Sequence, residues 1–243
     1  MCDTCGCVNN SNDKETKIID VNQSLLRANE EAAINNKKHF EQKGIFVINL
    51  ISSPGSGKTT LLEKTIEMLK NDLAIGVLEG DIETDLDAQR IRAKGVPAVQ
   101  LTTGGACHLE SSLVHKGFHT LEHELNGKKL DLLFIENVGN LVCPSFFDLG
   151  EHCRVVLISV PEGPDKPLKY PKAIRTSQVL IISKSDLTPY FDFDIERVKK
   201  DALALNPDIA VFVLSATSGE GLSVWTQFLL DEMKKQYPSD VVD

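Results

Sequence analysis

Positive charge is scarce in this sequence. Lys+Arg 26 against Asp+Glu 35 leave a formal net charge of -9, the wrong sign for a protein that grips a phosphodiester backbone, so no nucleic-acid partner is expected. Long apolar runs are missing as well. None approaches the roughly 18 residues of a membrane span, and the N-terminal stretch is polar where a signal peptide needs an apolar segment. No membrane partner is therefore expected, and a cytoplasmic address follows, in which thiols stay reduced. Internal repeats and low-complexity tracts are absent too. What remains is ordinary globular usage: 243 residues, 42% hydrophobic and 25% charged, enough for one mid-sized core with appendages.

The chain divides into three expected regions. Residues 1–17 open with Cys2, Cys5 and Cys7 and continue through a polar stretch, Val8 to Thr16, that reads as a flexible tail. Residues 18–44 read as an amphipathic lead-in helix, with Val21, Leu25, Ala28 and Ala32 at helical spacing and Gly44 as its stop. From residue 45 to 243, short Val/Ile/Leu runs alternate with helical stretches. Strands are expected at Ile45–Ile51, Ala74–Leu78, Ala98–Leu101, Leu130–Ile135, Arg154–Val160, Val179–Ser183 and Ala210–Leu214. Helices are expected near Lys58–Lys70, Asp85–Lys94, His108–Leu125, Pro167–Thr176, Phe193–Leu205 and Leu222–Lys235. Continuous apolar strands alternating with helices predict an α/β fold, doubly wound, with a mostly parallel seven-stranded sheet, helices on both faces and ligands at the carboxyl ends of the strands.

The first expected strand runs into Ser52-Ser53-Pro54-Gly55-Ser56-Gly57-Lys58-Thr59-Thr60 and then into a helical pattern. That strand, loop and helix context is what a phosphate-binding P-loop requires. Gly55, Ser56 and Gly57 would turn backbone N–H groups toward phosphate, Lys58 would reach the β/γ oxygens, and the Thr59 hydroxyl would hold Mg²⁺. Ser52 stands where the motif ordinarily opens with glycine. A Gly-rich turn that merely joins strand to helix would leave Lys58 unexplained.

Ser183-Lys184-Ser185-Asp186 ends the sixth expected strand and is similar to the NKxD element that reads guanine in GTPases, with Ser183 in place of Asn. A carboxylate at Asp186 accepts from the guanine ring N–H and amine, and Ser215-Ala216-Thr217 is similar to the second guanine-contacting loop. The structural alternative for Asp186 alone is a helix cap or turn acid. Two further acids end neighbouring strands. Asp81 is assigned to the magnesium ion or its water and Glu136 to the Walker-B position, since Mg²⁺ takes hard oxygen ligands and retains waters. Gly139 is the expected backbone sensor of the γ-phosphate.

Cys107-His108 and Cys143 fall near this same edge, Cys143 four residues after Gly139. Cys and His suit Zn²⁺ or Ni²⁺, although a set of two or three ligands needs a second copy to complete it. Lone buried thiols are commonly inert, and Cys153 is read as core. Cys2, Cys5 and Cys7 are separately expected to wrap one soft or borderline ion. His115, His119 and His123 form a helical stripe, read as a solvated face.

Taken together, the segments CDTCGC, SSPGSGKTT, EGDIETDLDAQR, TTGGACHLE, FIENVGNLVCP and VPEGPDKPLKYP resemble the HypB family of hydrogenase nickel-incorporation GTPases, of the SIMIBI class of P-loop proteins. The resemblance covers essentially the whole chain. It implies GTP hydrolysis to GDP linked to nickel delivery into [NiFe]-hydrogenase large-subunit precursors, homodimerisation dependent on nucleotide, and work with the HypA metallochaperone. By motif it implies a high-affinity nickel site at Cys2, Cys5 and Cys7, and a second site, for nickel or zinc, at Cys107, His108 and Cys143 in the dimer interface. The His-rich storage tract of some relatives is absent, so delivery is implied rather than storage. A urease-type GTPase chaperone, a P-loop kinase of a small molecule and a passive metal buffer are the competing readings.

Overall fold

The computed structural model describes residues 11–81 and 85–238, with side chains from Ser24 onward. The helix α1 (Ser11–Gln42) precedes β1 (Phe46–Ser52), followed by α2 (Lys58–Leu69), β2 (Ile75–Asp81), α3 (Leu86–Arg92), β3 (Ala98–Thr102), α4 (Ser111–Leu125) and β4 (Leu132–Glu136). Then come β5 (Cys153–Ser159), α5 (Lys166–Lys169), α6 (Pro171–Arg175), β6 (Val179–Ser183), α7 (Ile195–Leu205), β7 (Ala210–Val213) and α8 (Leu222–Gln236). Short 3₁₀ turns lie at Cys143–Phe146, Val160–Glu162 and Ser185–Tyr190.

Seven strands form one sheet in the order β3-β2-β4-β1-β5-β6-β7, and every pairing is parallel. Parallel neighbours need a crossover connection, so each link passes over a face and covers it. The strand pleat sorts the side chains. Phe46, Ile48 and Leu50 pack with Leu62 and Ile66 of α2, Ile91 of α3, and Trp225 and Leu229 of α8. On the opposite face, Val47 joins Phe40 of α1 and Val114, Phe118 and Leu121 of α4, while Ile51 joins Ile174 of α6 and Val198 of α7. Full burial of each such side chain contributes about 1.5–3 kcal/mol. With β4 on one side of β1 and β5 on the other, chain order reverses at β1, and a crevice opens at its carboxyl end.

Two expectations about helices are corrected. The stretch from Pro167 to Thr176 is two short helices broken at Tyr170, whose φ of −124° and ψ of 55° lie outside the helical region; Pro171 follows, and a proline ring drives the preceding residue out of the α conformation. Helix α1 starts at Ser11 rather than Ile18, so it takes in Ser11 to Thr16, read from sequence as part of a flexible tail. Its docking stripe also differs. Leu25 and Ala28 are exposed, whereas Asn29, Ala33, Asn36 and Phe40 are buried.

The two asparagines explain that rotation. Asn29 donates to the Asp148 carbonyl at 2.8 Å and accepts from the Ser111 N–H at 2.8 Å. Asn36 donates to the Ser111 and Leu149 carbonyls at 2.8 and 3.2 Å. Backbone groups at the start of α4 and in the loop before β5 thus find their partners on α1, an arrangement no hydrophobic pattern reports.

Candidate nucleotide and metal site

Between β1 and α2 the backbone turns through Gly55 (φ +74°) and Gly57 (φ +93°), left-handed conformations that glycine adopts without a Cβ penalty. The loop therefore ends at the N-terminus of α2, where free N–H groups and the helix dipole favour an anion. Lys58 is 8% exposed and its Nζ lies 2.9 Å from Ser52 Oγ. Ser52 replaces the usual glycine, and its hydroxyl in turn donates to the Ser53 carbonyl at 2.7 Å. The substituted position thus tethers the P-loop lysine.

Facing this loop, Thr59 Oγ1 donates to Glu136 Oε1 at 2.8 Å. Glu136 ends β4 and stands opposite Glu79 of β2 in the strand register. Both carboxyls are buried, and Glu79 Oε1 and Glu136 Oε2 have no hydrogen-bond partner. Burial pushes the Glu79 carboxyl well above the usual range, and the neighbouring Glu136 adds to the shift. Burial also raises Glu136, against the opposing charge of Lys58. Asp81 and Thr59 line the same cavity, of about 430 Å³, with Thr60, Gly139 and Lys184 on its walls. Hard oxygens with spare lone pairs beside a threonine hydroxyl fit a Mg²⁺ ion. Glu79 was not singled out from sequence. Its signal was an acid inside an apolar strand, two residues before Asp81 and therefore on the same face.

A second lobe of about 290 Å³ adjoins the first, sharing Gly57, Thr60 and Lys184, and is lined by Ser56, Ser183, Asp186, Ala216 and Thr217. Ser183, in place of the expected Asn, donates to the Ser56 carbonyl at 2.7 Å, so β6 is tied directly to the P-loop. Lys184 holds the left-handed conformation (φ +59°) and extends its Nζ to the Gly55 carbonyl at 2.7 Å. Asp186 stays exposed at the rim. Ser215 does not line this lobe. Its hydroxyl accepts the Ser218 N–H at 3.1 Å and its N–H donates to Glu220, so it shapes the turn that presents Ala216 and Thr217.

Glu162 is another residue that sequence reasoning passed over. Its Oε2 lies 2.6 Å from Ser56 Oγ and accepts from the Ser159 N–H and hydroxyl, each at 2.8 Å. Burial pushes this carboxyl up, but the hydrogen bonds from Ser56 and Ser159 more than offset it and hold it below its ordinary range. The ionised side chain braces the P-loop from beneath.

The thiol group converges as expected. Ligand atoms of Cys107, His108 and Cys143 lie within 4.8 Å of one another. The two sulfurs are 2.7 Å apart, and His108 Nδ1 is 3.8 Å from Cys107 Sγ. Its contact with Cys107, followed by burial, holds the Cys143 thiol above its usual range. Burial lowers His108, against the charge of Glu110, which keeps a lone pair available. The ring stacks on Phe147 with centroids 3.8 Å apart, and its Nε2 is buried without a partner. Two soft donors and one borderline donor suit Ni²⁺ or Zn²⁺ and leave a coordination position open.

Two asparagines join this group to the nucleotide crevice. Asn137, 1% exposed and next to Glu136, accepts the Leu109 N–H at 3.2 Å. Asn140, next to Gly139, donates to the Cys107 carbonyl at 3.3 Å. Gly139 lies against the P-loop, where a Cβ would meet Pro54 Cα at 3.1 Å.

Other expectations sort as follows. Cys153 is core, its thiol pushed up to about 12 by burial. Cys2, Cys5 and Cys7 lie outside the described residues. The histidine stripe is a solvated face, with His115, His119 and His123 all exposed, and two of its rings, His115 and His119, also meet His39 of α1. Among the described residues no helix is long and apolar enough to cross a membrane.

A family model for the CobW/HypB/UreG nucleotide-binding domain matches residues 46–213. The hydrogenase maturation factor HypB of Azotobacter chroococcum mcd 1 is 49% identical over 215 residues, spanning 88% of this chain and 69% of that one. This chain belongs to the HypB family. The hydrogenase/urease maturation factor HypB of Helicobacter pylori is 43% identical over 230 residues, 95% of this chain and 93% of that one. A crystal structure of HypB from Helicobacter pylori in complex with nickel superposes with a TM-score of 0.83 at 43% identity, covering 89% of this chain and all of that chain. The doubly wound parallel sheet and its P-loop are thus those of a HypB fold.

Proposed function

We propose that this chain is a GTP-hydrolysing nickel metallochaperone that delivers nickel during hydrogenase maturation, with the bound nucleotide gating the metal site at Cys107, His108 and Cys143. The carrying observation is the pair of asparagine links: Asn137 and Asn140 flank Gly139 and hold the Cys107 loop through Leu109 and the Cys107 carbonyl. A γ-phosphate drawing Gly139 toward the P-loop would move both thiols with it.

In this reading Gly55, Ser56, Gly57 and Thr60 cradle the phosphates, and Lys58 leaves Ser52 to neutralise charge on the β/γ oxygens. Thr59, Glu136 and Asp81, supported by Glu79, hold Mg²⁺, which when bound offsets charge developing on the transferred phosphoryl group. Asp186 reads guanine, with Lys184 and Ala216 walling the base and Ser215 holding the loop that carries Ala216. Intrinsic turnover is expected to be slow. Nickel is cargo, taken by three ligands per chain. A second copy, brought up by GTP, would complete the sphere as a nucleotide-dependent homodimer. Cys2, Cys5 and Cys7 would form a metal-binding tail ahead of the lead-in helix α1 and the GTPase domain at 45–243. HypA and a hydrogenase large-subunit precursor are the proposed partners, in the cytoplasm, and Zn²⁺ competes with Ni²⁺ for the thiol sites.

The test is a nickel titration of the protein loaded with GDP or with a non-hydrolysable GTP analogue, following the thiolate-to-nickel absorption band and the mass of the complex. Cys2, Cys5 and Cys7 are replaced by Ala so that only the loop site reports. A site whose affinity changes with nucleotide and appears with the dimer supports gating, and Asn137→Ala should level the two states. Identical nickel binding in both states of the parent protein would remove the coupling from the proposal.

A further inference from the structure

Away from the thiols, the described residues hold a second convergence of ligand atoms, between the end of α1 and the face of α4. Ring nitrogens of His39, His115 and His119 lie within 4.8 Å of one another. The hydrogen-bond network around them fixes which nitrogen is free. The Asn36 amide nitrogen donates to two backbone carbonyls, so its oxygen, 3.1 Å from His115 Nδ1, faces the ring as an acceptor. The proton of His115 is accordingly on Nδ1. His119 Nδ1 lies 3.0 Å from Glu122 Oε2, a carboxylate paired with Lys43 at 2.7 Å, which places the His119 proton on Nδ1 as well.

The two remaining nitrogens, both Nε2, then face each other at 3.1 Å. In neutral rings these are bare lone pairs, and they repel unless a cation stands between them. Two imidazole nitrogens bound about 2.0–2.1 Å from one metal ion, at ligand angles of about 90–109°, are about 2.8–3.4 Å apart, a range that includes the spacing found. Asn36 and Glu122 occupy the supporting positions that orient ligating histidines in metal sites. His39 supplies a third ring, held edge-on to Phe118 at a centroid distance of 5.4 Å.

We propose that His39, His115 and His119 form a metal site for a borderline divalent ion, Ni²⁺ or Zn²⁺, that clamps α1 to α4. Three neutral imidazoles without a thiolate suit both ions, and an open fourth position is left for water. The site needs no nucleotide and stands apart from the gating reading. Its consequence is mechanical: an ion bridging the helices ties the lead-in helix to the sheet.

The experiment uses the full chain with Cys2, Cys5, Cys7, Cys107 and Cys143 replaced by Ala. Ni²⁺ and Zn²⁺ are titrated separately by calorimetry, and Ni²⁺ also by absorption. The same titrations are run after adding His115→Gln and His119→Gln. One bound equivalent is expected in the first protein, with no thiolate band and with ring NMR signals of all three histidines displaced, and at least tenfold weaker binding in the second. His39→Gln alone should also weaken binding about tenfold. It provides a second route if circular dichroism shows the double variant misfolded. Whichever ion binds more tightly identifies the occupant. Equal binding with and without the histidines would overturn the site. So would failure of both ions to bind.

Discussion

Glu79 and Glu136 face each other across β2 and β4, each almost wholly buried, each with an oxygen lacking a hydrogen-bond partner. Two facing carboxyls in a crevice destabilise the empty fold and favour a cation. Glu79→Gln keeps the shape and removes one charge. It should lower the apparent Mg²⁺ affinity in nucleotide binding by about 10–100-fold, the usual cost of losing a supporting ligand partner. The metal-free protein should melt no lower than the parent, since a repulsion is relieved. Magnesium titrations of nucleotide binding beside melting curves would decide, and an unchanged magnesium dependence would refute the role given to Glu79. Most residues of this crevice were legible in the sequence, because Lys58, Thr59 and Glu136 occupy motif positions whose chemistry is fixed by spacing. Glu79 was hidden by its strand, and Ser215 was over-read because a motif names a residue without saying where its side chain turns.

Elements were legible to the extent that apolar periodicity sets them. All seven strands and their parallel, two-faced burial follow from Val/Ile/Leu runs, whereas the break at Tyr170 comes from a proline inside an otherwise helical pattern. The docking face of α1 could not be read that way. Its stripe is polar at Asn29 and Asn36, and hydrogen bonding rather than hydrophobicity selects it. Asn36→Ala leaves the buried Ser111 and Leu149 carbonyls short of a donor. The expected cost is about 2–3 kcal/mol, or roughly 5–10 °C of melting temperature for a domain of this size. A loss under about 1 °C in a thermal melt would show that the Asn36 hydrogen bonds do not hold α1 in place.

At the scale of the whole molecule, the strand ends opposite the nucleotide crevice are closed by a seam among β1, β5 and the residues after α8, three segments far apart in sequence and so invisible in it. His152 Nδ1 accepts the Val47 N–H at 3.0 Å, its ring stacks on Phe46, and Tyr237 Oη, which donates to the Ile45 carbonyl at 3.2 Å, lies 3.3 Å from Nε2. Burial, helped by the charge of Lys37 and opposed by Glu151, lowers His152 to about 4 from its ordinary 6.5. An unfolded chain takes up this proton as pH falls through about 6.5, and the folded chain only near 4. The stability from the neutral ring is therefore complete above about 6.5 and lost progressively on acidification to about 4. The displacement corresponds to roughly 3 kcal/mol, and on the order of 1–2 kcal/mol after solvent screening of a part-exposed ring. Glu79 and Glu136 act with the opposite sign. Their carboxyls are held above 4.5, so their contribution is present below that value and is lost as pH rises through their folded pKa. Subtracting a His152→Asn variant, which keeps an acceptor for Val47, removes these shared terms. The difference in unfolding free energy between parent and variant, from denaturant melts between pH 7 and pH 4, should fall by 1–2 kcal/mol on acidification; a flat difference would mean that His152 is not held neutral by the seam.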